Sequence, residues 1–411
     1  MSESFDVIVI GGGAAGMMSA GTAAARGKKV LLLEKNAELG KKLRISGGGR
    51  CNITNATFDT RTLLARYGQA DKFLFSPFTK YGITETIDFF HTQGLLTKVE
   101  AEARVFPASD KAEDVAKTLE LYLAKHGVVV RKNSTVTGLI TEQGKVTGVE
   151  TARGTHFAKS VILATGGTSR PDTGSTGDGY AWLSAVGHTV STPTPTLVPI
   201  ALKETWVASV SGLTLPQASI SVYQNNTLII KTIGKVLFTH TGLSGPGILN
   251  LSNLIGDTLP HGEMRLKLNV TTGQNEEVIL EDFKNAGLET PNRKIKNILT
   301  TFVPAGLVPV VLEAANIDEE RLLNSINRNE RHTLISVMRG LEVTISHLLG
   351  ADKAIVANGG VALTEVDFKT MSSALYKNLF IVGDMLDIKR PSGGYSLQLC
   401  WTTGYIAGSN C

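Results

Sequence analysis

Along the first third of the chain, apolar runs of strand length alternate with apolar positions at helical spacing. FDVIVI is followed by a glycine cluster, an alanine-rich stretch from about Ala14 to Arg26, and the run KVLLL, which ends in Glu34. Strand, tight turn, helix and strand at this minimal spacing predict a βαβ unit. Residues 51–130 carry mainly helical signals. The clearest starts at Asp110, where Val115, Leu119 and Leu123 share one face and Gly127 marks the stop, and the strand GVVVR follows. Between Thr135 and Ala164, short β runs with a turn at Gln143-Gly144 close on SVILATGG, an unbroken apolar run that suits a buried parallel strand.

At Ser191 the pattern changes. TPTPTLVP is proline-rich, and helical spacing gives way to alternating runs with a hairpin signal at Gln224-Asn225-Asn226. Residues 275–340 return to helix, with Ile295, Ile298, Leu299 and Phe302 on one buried face. Residues 341–375 read as β again, NLFIVGD as another buried strand, and SLQLCWTTGYIAG as a closing helix. The expected organisation is discontinuous: residues 1–190 with 376–411, residues 191–274 with 341–375, and residues 275–340. There is no internal repeat or low-complexity tract.

The 411 residues exceed what one hydrophobic core supports. A chain 42% hydrophobic and 19% charged is globular, and its 43 glycines point to many special turns. Forty-one Lys and Arg against 37 Asp and Glu leave +4, too little for the field of a nucleic-acid binder, so no nucleic-acid partner is expected. Cys51, Cys400 and Cys411 are odd in number and include no C-x-x-C. That excludes a disulfide framework and a zinc ribbon and fits a reducing compartment; the cytoplasm is expected, without a metal site. The stretch Val7 to Ala25 lacks charge but holds five glycines, so no membrane partner is expected.

Gly11-x-Gly13-x-x-Gly16 lies between a predicted strand and a predicted helix, with Glu34 following 23 residues after Gly11. In this context the glycines allow a tight turn, approach of the backbone to a pyrophosphate, and close helix–strand packing, while Glu34 can accept from ribose hydroxyls. The loop LGKKLRISGGGRCN adds Lys41, Lys42, Arg44, Arg50 and three consecutive glycines, which a simple NAD dehydrogenase does not need. Near the other end Gly383-Asp384 follows a strand, and Gly393-Gly394 precedes the last helix. An acid there can hold a polyol, and a helix N-terminus can stabilise an anion, as a flavin's ribitol and its reduced ring require. The pattern points to FAD. No H-E-x-x-H and no Gly-Lys-Ser loop are present, so metalloprotease and NTPase readings lack support.

VIVIGGGAAG, LGKKLRISGGGRCNITN, RVFPASDKAEDV, VILATGGTSRPDTGSTGDGYAWLSAVGH, LFTHTGLSGPGIL and GGYSLQLCWTTGYIAG together resemble a bacterial family of FAD-dependent flavoproteins that includes aminoacetone oxidases and 3-dehydro-bile-acid reductases. ATGG followed by TGDGYAWLSAVG more distantly resembles the flavoprotein subunits of fumarate reductase. The family resemblance, which spans nearly the whole chain, implies an α/β fold: a Rossmann-like FAD-binding domain with an inserted β-barrel and a small helical domain. It puts the pyrophosphate at Gly11, Gly13 and Gly16 with Ala15 and Lys42 nearby, the adenosine ribose at Glu34 beside Lys35, and an adenine backbone contact at Val136. Ala164, Thr165 and Gly166 would line the cofactor, Gly383 and Asp384 would hold the ribitol, and Gly394, Tyr395, Leu397 and Gln398 would lie under the isoalloxazine. Gly48, Arg50, Cys51 and Asn52 would lie near the flavin or its phosphates. In one place the chain departs from the family pattern: Lys389-Arg390-Pro391 stands where an acid and a glycine-rich turn are expected.

Cys51 has no cysteine partner nearby and reads as structural, and His188, after Gly187, as a helix C-terminal cap. The expected activity is that of an FAD-dependent oxidoreductase acting on a small organic substrate by hydride transfer at flavin N5. Amine or aminoketone oxidation with oxygen leads; NAD(P)H-dependent reduction of a conjugated C=C bond is the alternative, with NAD(P)H as a transient donor because no second G-x-G-x-x-G is present. His240, next to a glycine-rich loop, and Tyr395 are the candidate proton donors. A non-catalytic flavin-binding or RNA-associated protein is the alternative of another class, and the even spread of charge argues against it.

Overall fold

The computed structural model describes residues 4–271, 276–350 and 352–411. The chain forms two compact units, one of residues 1–196 and 351–411, the other of residues 197–350.

The first unit is built on a seven-stranded sheet. Val129–Arg131, Val30–Leu33, Phe5–Ile10, Gly154–Leu163 and Leu379–Ile381 run parallel, with Val7 opposite both Val30 and Ser160. Gly154–Leu163 also pairs antiparallel with Lys145–Thr151, which in turn pairs with Val136–Glu142. The predicted βαβ unit is therefore present, its helix spanning Ala14–Ala25. Phe5–Ile10 is covered on both faces, which is why its apolar run does not alternate.

Helix Ala14–Ala25 packs against the closing helix Tyr395–Asn410, and the contact requires glycine. Gly404 and Gly408 lie one turn apart on the same face. A Cβ on Gly404 would come 2.6 Å from the Ala15 carbonyl oxygen, and one on Gly408 would overlap the Ser19 carbonyl. Ala15 is equally confined on its other side, where a Cβ on Gly383 would meet its own Cβ at 3.0 Å.

Within residues 51–130 the expected helices form at Asp71–Lys80, Ile83–Thr92 and Ala112–Lys125. A small antiparallel sheet of Thr54–Asn55, Arg104–Pro107 and Thr97–Glu100 accompanies them. Its strands are too short to leave an alternating pattern in the sequence.

The second unit holds a closed, antiparallel six-stranded barrel: Ile200–Leu202, Gly242–Ser244, Thr227–Phe238, Thr214–Gln224, Met264–Leu268 and Leu341–Leu348. The helices Glu276–Glu289, Ile295–Leu299, Val308–Ala314 and Arg328–Arg339 share its hydrophobic core, and the rings of Phe283 and Phe302 stack at 4.9 Å. The barrel and the helical segment expected as separate domains thus bury one continuous apolar cluster. The expected boundaries at 190 and 375 move to 196 and 350, because Val190–Thr196 pairs with Val356–Val361 inside the first unit. Proline is tolerated there because the two strands form a sheet of their own, with a register shift between Ser191 and Thr194. The boundary expected at 274 lies outside the described residues.

Gly408→Val forces the two helices apart and should lower stability by about 1–3 kcal/mol, or more if the backbones cannot shift. Thermal unfolding of the variant is the check, and a midpoint equal to the parent's would remove the crossing from the account.

Candidate functional site: a dinucleotide cradle

The site grows from the turn after the first strand. Gly11 has φ +100°, and a Cβ there would lie 2.5 Å from the Ala164 carbonyl oxygen; one on Gly16 would overlap the Gly11 carbonyl. Side chains are thereby excluded at both positions. At Gly13 the reverse holds, because a Cβ would meet nothing within 4 Å. This open position sits at the N-terminus of helix Ala14–Ala25, which among the described residues has no side-chain cap and no acid in its first turn. A positive helix end facing open space is a cradle for a diphosphate.

Glu34 is nearly buried at the end of the second strand. Its Oε2 accepts from the Gly12 N–H at 2.7 Å, and its Oε1 accepts from the Asn36 N–H and Nδ2 at 2.7 Å each. A carboxylate offers about four acceptor positions, so one so anchored can still take a ribose hydroxyl. The strand Val136–Glu142 begins beside it: Ser134 N–H donates to the Glu34 carbonyl, and Val136 is buried. Lys35 turns toward residues 176–178, its Nζ 2.6 Å from Thr176 Oγ1 and 2.8 Å from Asp178.

Ala164 N–H donates to the Ile10 carbonyl at 2.9 Å, Thr165 Oγ1 lies 2.9 Å from Met385 Sδ, and Gly166 takes φ +75°. Gly383, at φ +63°, donates its N–H to Thr403 Oγ1 and packs on Ala15. Asp384 follows. Lys42 bridges Ser169 Oγ (2.7 Å) and Asp384 Oδ2 (3.3 Å), and Arg390 pairs with Asp384 Oδ1. Burial would push the Asp384 carboxyl up, but the charges of Arg390 and Lys42 hold it below the usual carboxylate range.

Gly394, at φ +100°, caps the closing helix and lies so close to Thr54 that a Cβ would overlap the Thr54 backbone. The Asn52 amide fixes this approach when its oxygen accepts from the Gly394 N–H (3.0 Å) and its nitrogen donates to the Thr54 carbonyl (2.9 Å). Tyr395 is largely buried; its carbonyl accepts from Tyr67 Oη at 2.8 Å, and Leu397 is half-buried.

The structure therefore brings together Gly11, Gly13, Ala15, Gly16, Ala164, Gly383, Asp384 and Lys42, and joins Asn52 to Gly394. Other candidate residues have their polar atoms engaged within the protein or stand in exposed loops. Gln398, expected under a flavin ring, is fully buried in the helical core, where its amide meets Thr54, Gly82, Thr86 and Thr402. Arg50 is committed to Glu100 and Asp110 and lies 4.1 Å over the Phe106 ring, while Gly48 is exposed in its loop. Burial pushes the Cys51 thiol up to about 12, which suits a structural thiol and not a nucleophile. His240 is exposed at the end of strand Thr227–Phe238, in the second unit. Sequence reasoning missed Arg390, although its unusual loop was visible, and missed Tyr180, whose hydroxyl donates to the Asp384 carbonyl at 2.7 Å.

His188 forms a second buried polar cluster. Its Nδ1 lies 2.9 Å from Glu365 and its Nε2 2.9 Å from Ser373 Oγ, which also accepts from the Leu375 and Tyr376 N–H groups. The expected capping position is present through the His188 N–H, which donates to the Leu183 carbonyl.

Gly13→Asp places a carboxylate where the diphosphate would lie and should abolish FAD binding, measured by flavin retention and reconstitution. Glu34→Ala should weaken FAD affinity by about 1.5–3 kcal/mol without moving the flavin absorption bands. Unchanged affinity with shifted bands would reverse the assigned orientation of the cofactor.

The family model described as the HI0933-like protein Rossmann domain matches residues 5–410. The 3-dehydro-bile acid delta(4,6)-reductase of Clostridium scindens is 31% identical over 408 residues, covering 97% of each chain. A ribosomal RNA dihydrouridine synthase of Haemophilus influenzae is 30% identical over 410 residues, covering 98% of each. Among solved structures, the 3-ketosteroid-delta4-(5alpha)-dehydrogenase from Rhodococcus jostii RHA1 is similar in fold, with a TM-score of 0.56 at 16% identity over 99% of this chain and 96% of that one. Fingerprint, cradle and full-length match agree: the chain belongs to the HI0933-like family of FAD-binding Rossmann proteins and is a flavoprotein oxidoreductase.

Proposed function

We propose that this protein reduces a C=C bond conjugated to a carbonyl in a small organic substrate, with FAD as cofactor and NAD(P)H as transient donor. The observation that carries this reading is what these two full-length relatives, among others, have in common. A delta(4,6)-reductase of a 3-dehydro-bile acid and a synthase of dihydrouridine both saturate a C=C bond conjugated to C=O. Amine or aminoketone oxidation, the expectation placed first from the sequence, has no such support from either name.

FAD, when bound, supplies two-electron hydride transfer between nicotinamide and substrate carbon. In balance, NAD(P)H and one proton are consumed, the β-carbon gains hydride, the α-carbon gains the proton, and NAD(P)⁺ and the saturated carbonyl compound leave. Glu34, the helix start at Gly13, and Asp384 with Lys42 hold the cofactor. Tyr395, at the start of the closing helix, and His240, on the barrel unit, are the two candidates for delivering the proton.

A second reading, in which the reducible bond is that of uridine within RNA, is favoured by the Haemophilus relative. Charge argues against it. The barrel-containing unit, residues 197–350, has 13 Lys and Arg against 14 Asp and Glu, whereas phosphate-backbone binding relies on accumulated positive charge.

Anaerobic stopped-flow mixing separates these cases. NADH or NADPH should bleach the bound flavin, and α,β-unsaturated ketones should restore its colour. Bleaching of the oxidised protein by aminoketones would overturn the proposal, and recolouring by a ribosomal RNA fragment but by no free enone would shift it to RNA. His240→Ala should retain FAD and slow substrate-dependent reoxidation by roughly 10²–10⁴-fold. Unchanged kinetics would leave the role to Tyr395.

A further inference from the structure

Lys389-Arg390-Pro391 departs from the pattern expected of this loop, and the structure shows where the added cation goes. The Arg390 side chain is 1% exposed and reaches three oxygen acceptors: Asp384 Oδ1, the Ile388 carbonyl, and Ser396 Oγ at 3.0 Å from Nε. Ile388 lies in the loop itself, and Ser396 is the second residue of the closing helix. One guanidinium thus ties the loop, the start of that helix and the acid of the Gly383-Asp384 turn to each other. A buried arginine is costly unless its donors are met, so its placement against Asp384 constrains both partners.

We propose that Arg390 is a positioning residue of the cofactor site, holding the Asp384 carboxylate, together with Lys42, as a fixed acceptor for the polyol of FAD. This rests on the FAD reading above and assigns Arg390 no contact with the cofactor itself. Asp384 is only 13% exposed, and Lys42 is a weaker anchor because its ammonium, 3.3 Å away, is shared with Ser169. Two other titratable groups feel the Asp384 charge, Tyr180 from helix Asp178–Ala185 and Cys400 from the closing helix. Burial and then the Asp384 charge raise both, the thiol to about 12, so neither ionises near neutral pH. Without Arg390, only Lys42 would remain to oppose burial, and the Asp384 carboxyl would rise.

The test is FAD titrated into the purified full chain across about pH 5 to 8, followed by flavin fluorescence, with circular dichroism as the check on folding. In the parent, affinity should show no inflection from Asp384. Arg390→Gln should weaken affinity by roughly 10- to 100-fold and introduce an inflection, with binding weakening further as pH falls and the carboxylate protonates. Arg390→Lys, which keeps a cation, should restore the flat profile. Asp384→Asn should bind more weakly with a flat profile, and adding Arg390→Gln to it should cause no further loss. That double variant removes the two most buried charges together and leaves Lys42, which is 27% exposed and still held by Ser169, so it keeps the test open if Arg390→Gln alone fails to fold. A flat profile and parental affinity in Arg390→Gln would overturn the proposal, and so would a further loss in the Asp384→Asn background, which would mean that Arg390 touches the cofactor directly. A parent chain that binds no FAD would instead sink the FAD reading.

Discussion

Ala15 sits where three distant stretches of the chain converge, and the architecture depends on its being small. Its carbonyl faces Gly404 of the closing helix, and its Cβ faces Gly383 in the turn that carries Asp384. Two helices can approach this closely only where one presents glycines, and Gly404 and Gly408 provide that face. Because the contact joins residues near the start of the chain to residues near its end, the first unit cannot close until the polypeptide returns from residues 197–350. Such non-local closure is entropically slow to form but leaves both helix starts, Gly13 and Gly394, on one continuous scaffold.

The charges at this site follow a single logic. A dinucleotide brings two phosphate charges, and what the protein presents at Gly13 is an open helix end and not a buried cation. Its buried charges are kept for the acids. Glu34 is satisfied by backbone and amide donors, and Asp384 by two cations. Each acid is thereby immobilised before any ligand arrives, which lowers the ordering cost of binding. The segment 35–42 adds a further constraint: Lys35, Asn36, Lys41 and Lys42 all reach residues 169–178 and hold that loop beside the acids.

What could be read from the sequence was whatever steric necessity imposes on residue type. Gly11 and Gly16 have no alternative to glycine, and Val7 to Ile10 have no solvent face, so the βαβ unit and its ligand class were legible. The roles of long polar side chains were not, because their direction is decided by partners remote in sequence. Gln398 was expected beneath a flavin, yet its amide meets Gly82 and Thr86 more than three hundred residues earlier in the chain. Arg50 was expected near the cofactor, and its pairing with Glu100 and Asp110, on and beside a small sheet that sequence periodicity did not reveal, was not legible. The shared core of barrel and helices was hidden for a similar reason: helical spacing at Ile295, Ile298 and Leu299 identifies a buried face but not what covers it.

Ser373, His188 and Glu365 illustrate how a catalytic-looking geometry can be decided by hydrogen-bond accounting. The distances match a nucleophile, base and orienting acid. Ser373 Oγ, however, already accepts from two backbone N–H groups, so its own proton is directed to His188 Nε2, and the Nδ1 proton then points to Glu365. Both ring nitrogens and the serine hydroxyl thus have partners within the protein, and the serine is fully buried. It fastens residues 365–376 to the end of helix Asp178–Ala185. At Gly13, by contrast, a helix end without a side-chain cap faces space into which a ligand can come. A satisfied network stabilises a fold, while a binding site keeps some of its donors for a ligand, and that difference separates the two clusters where their residue types do not.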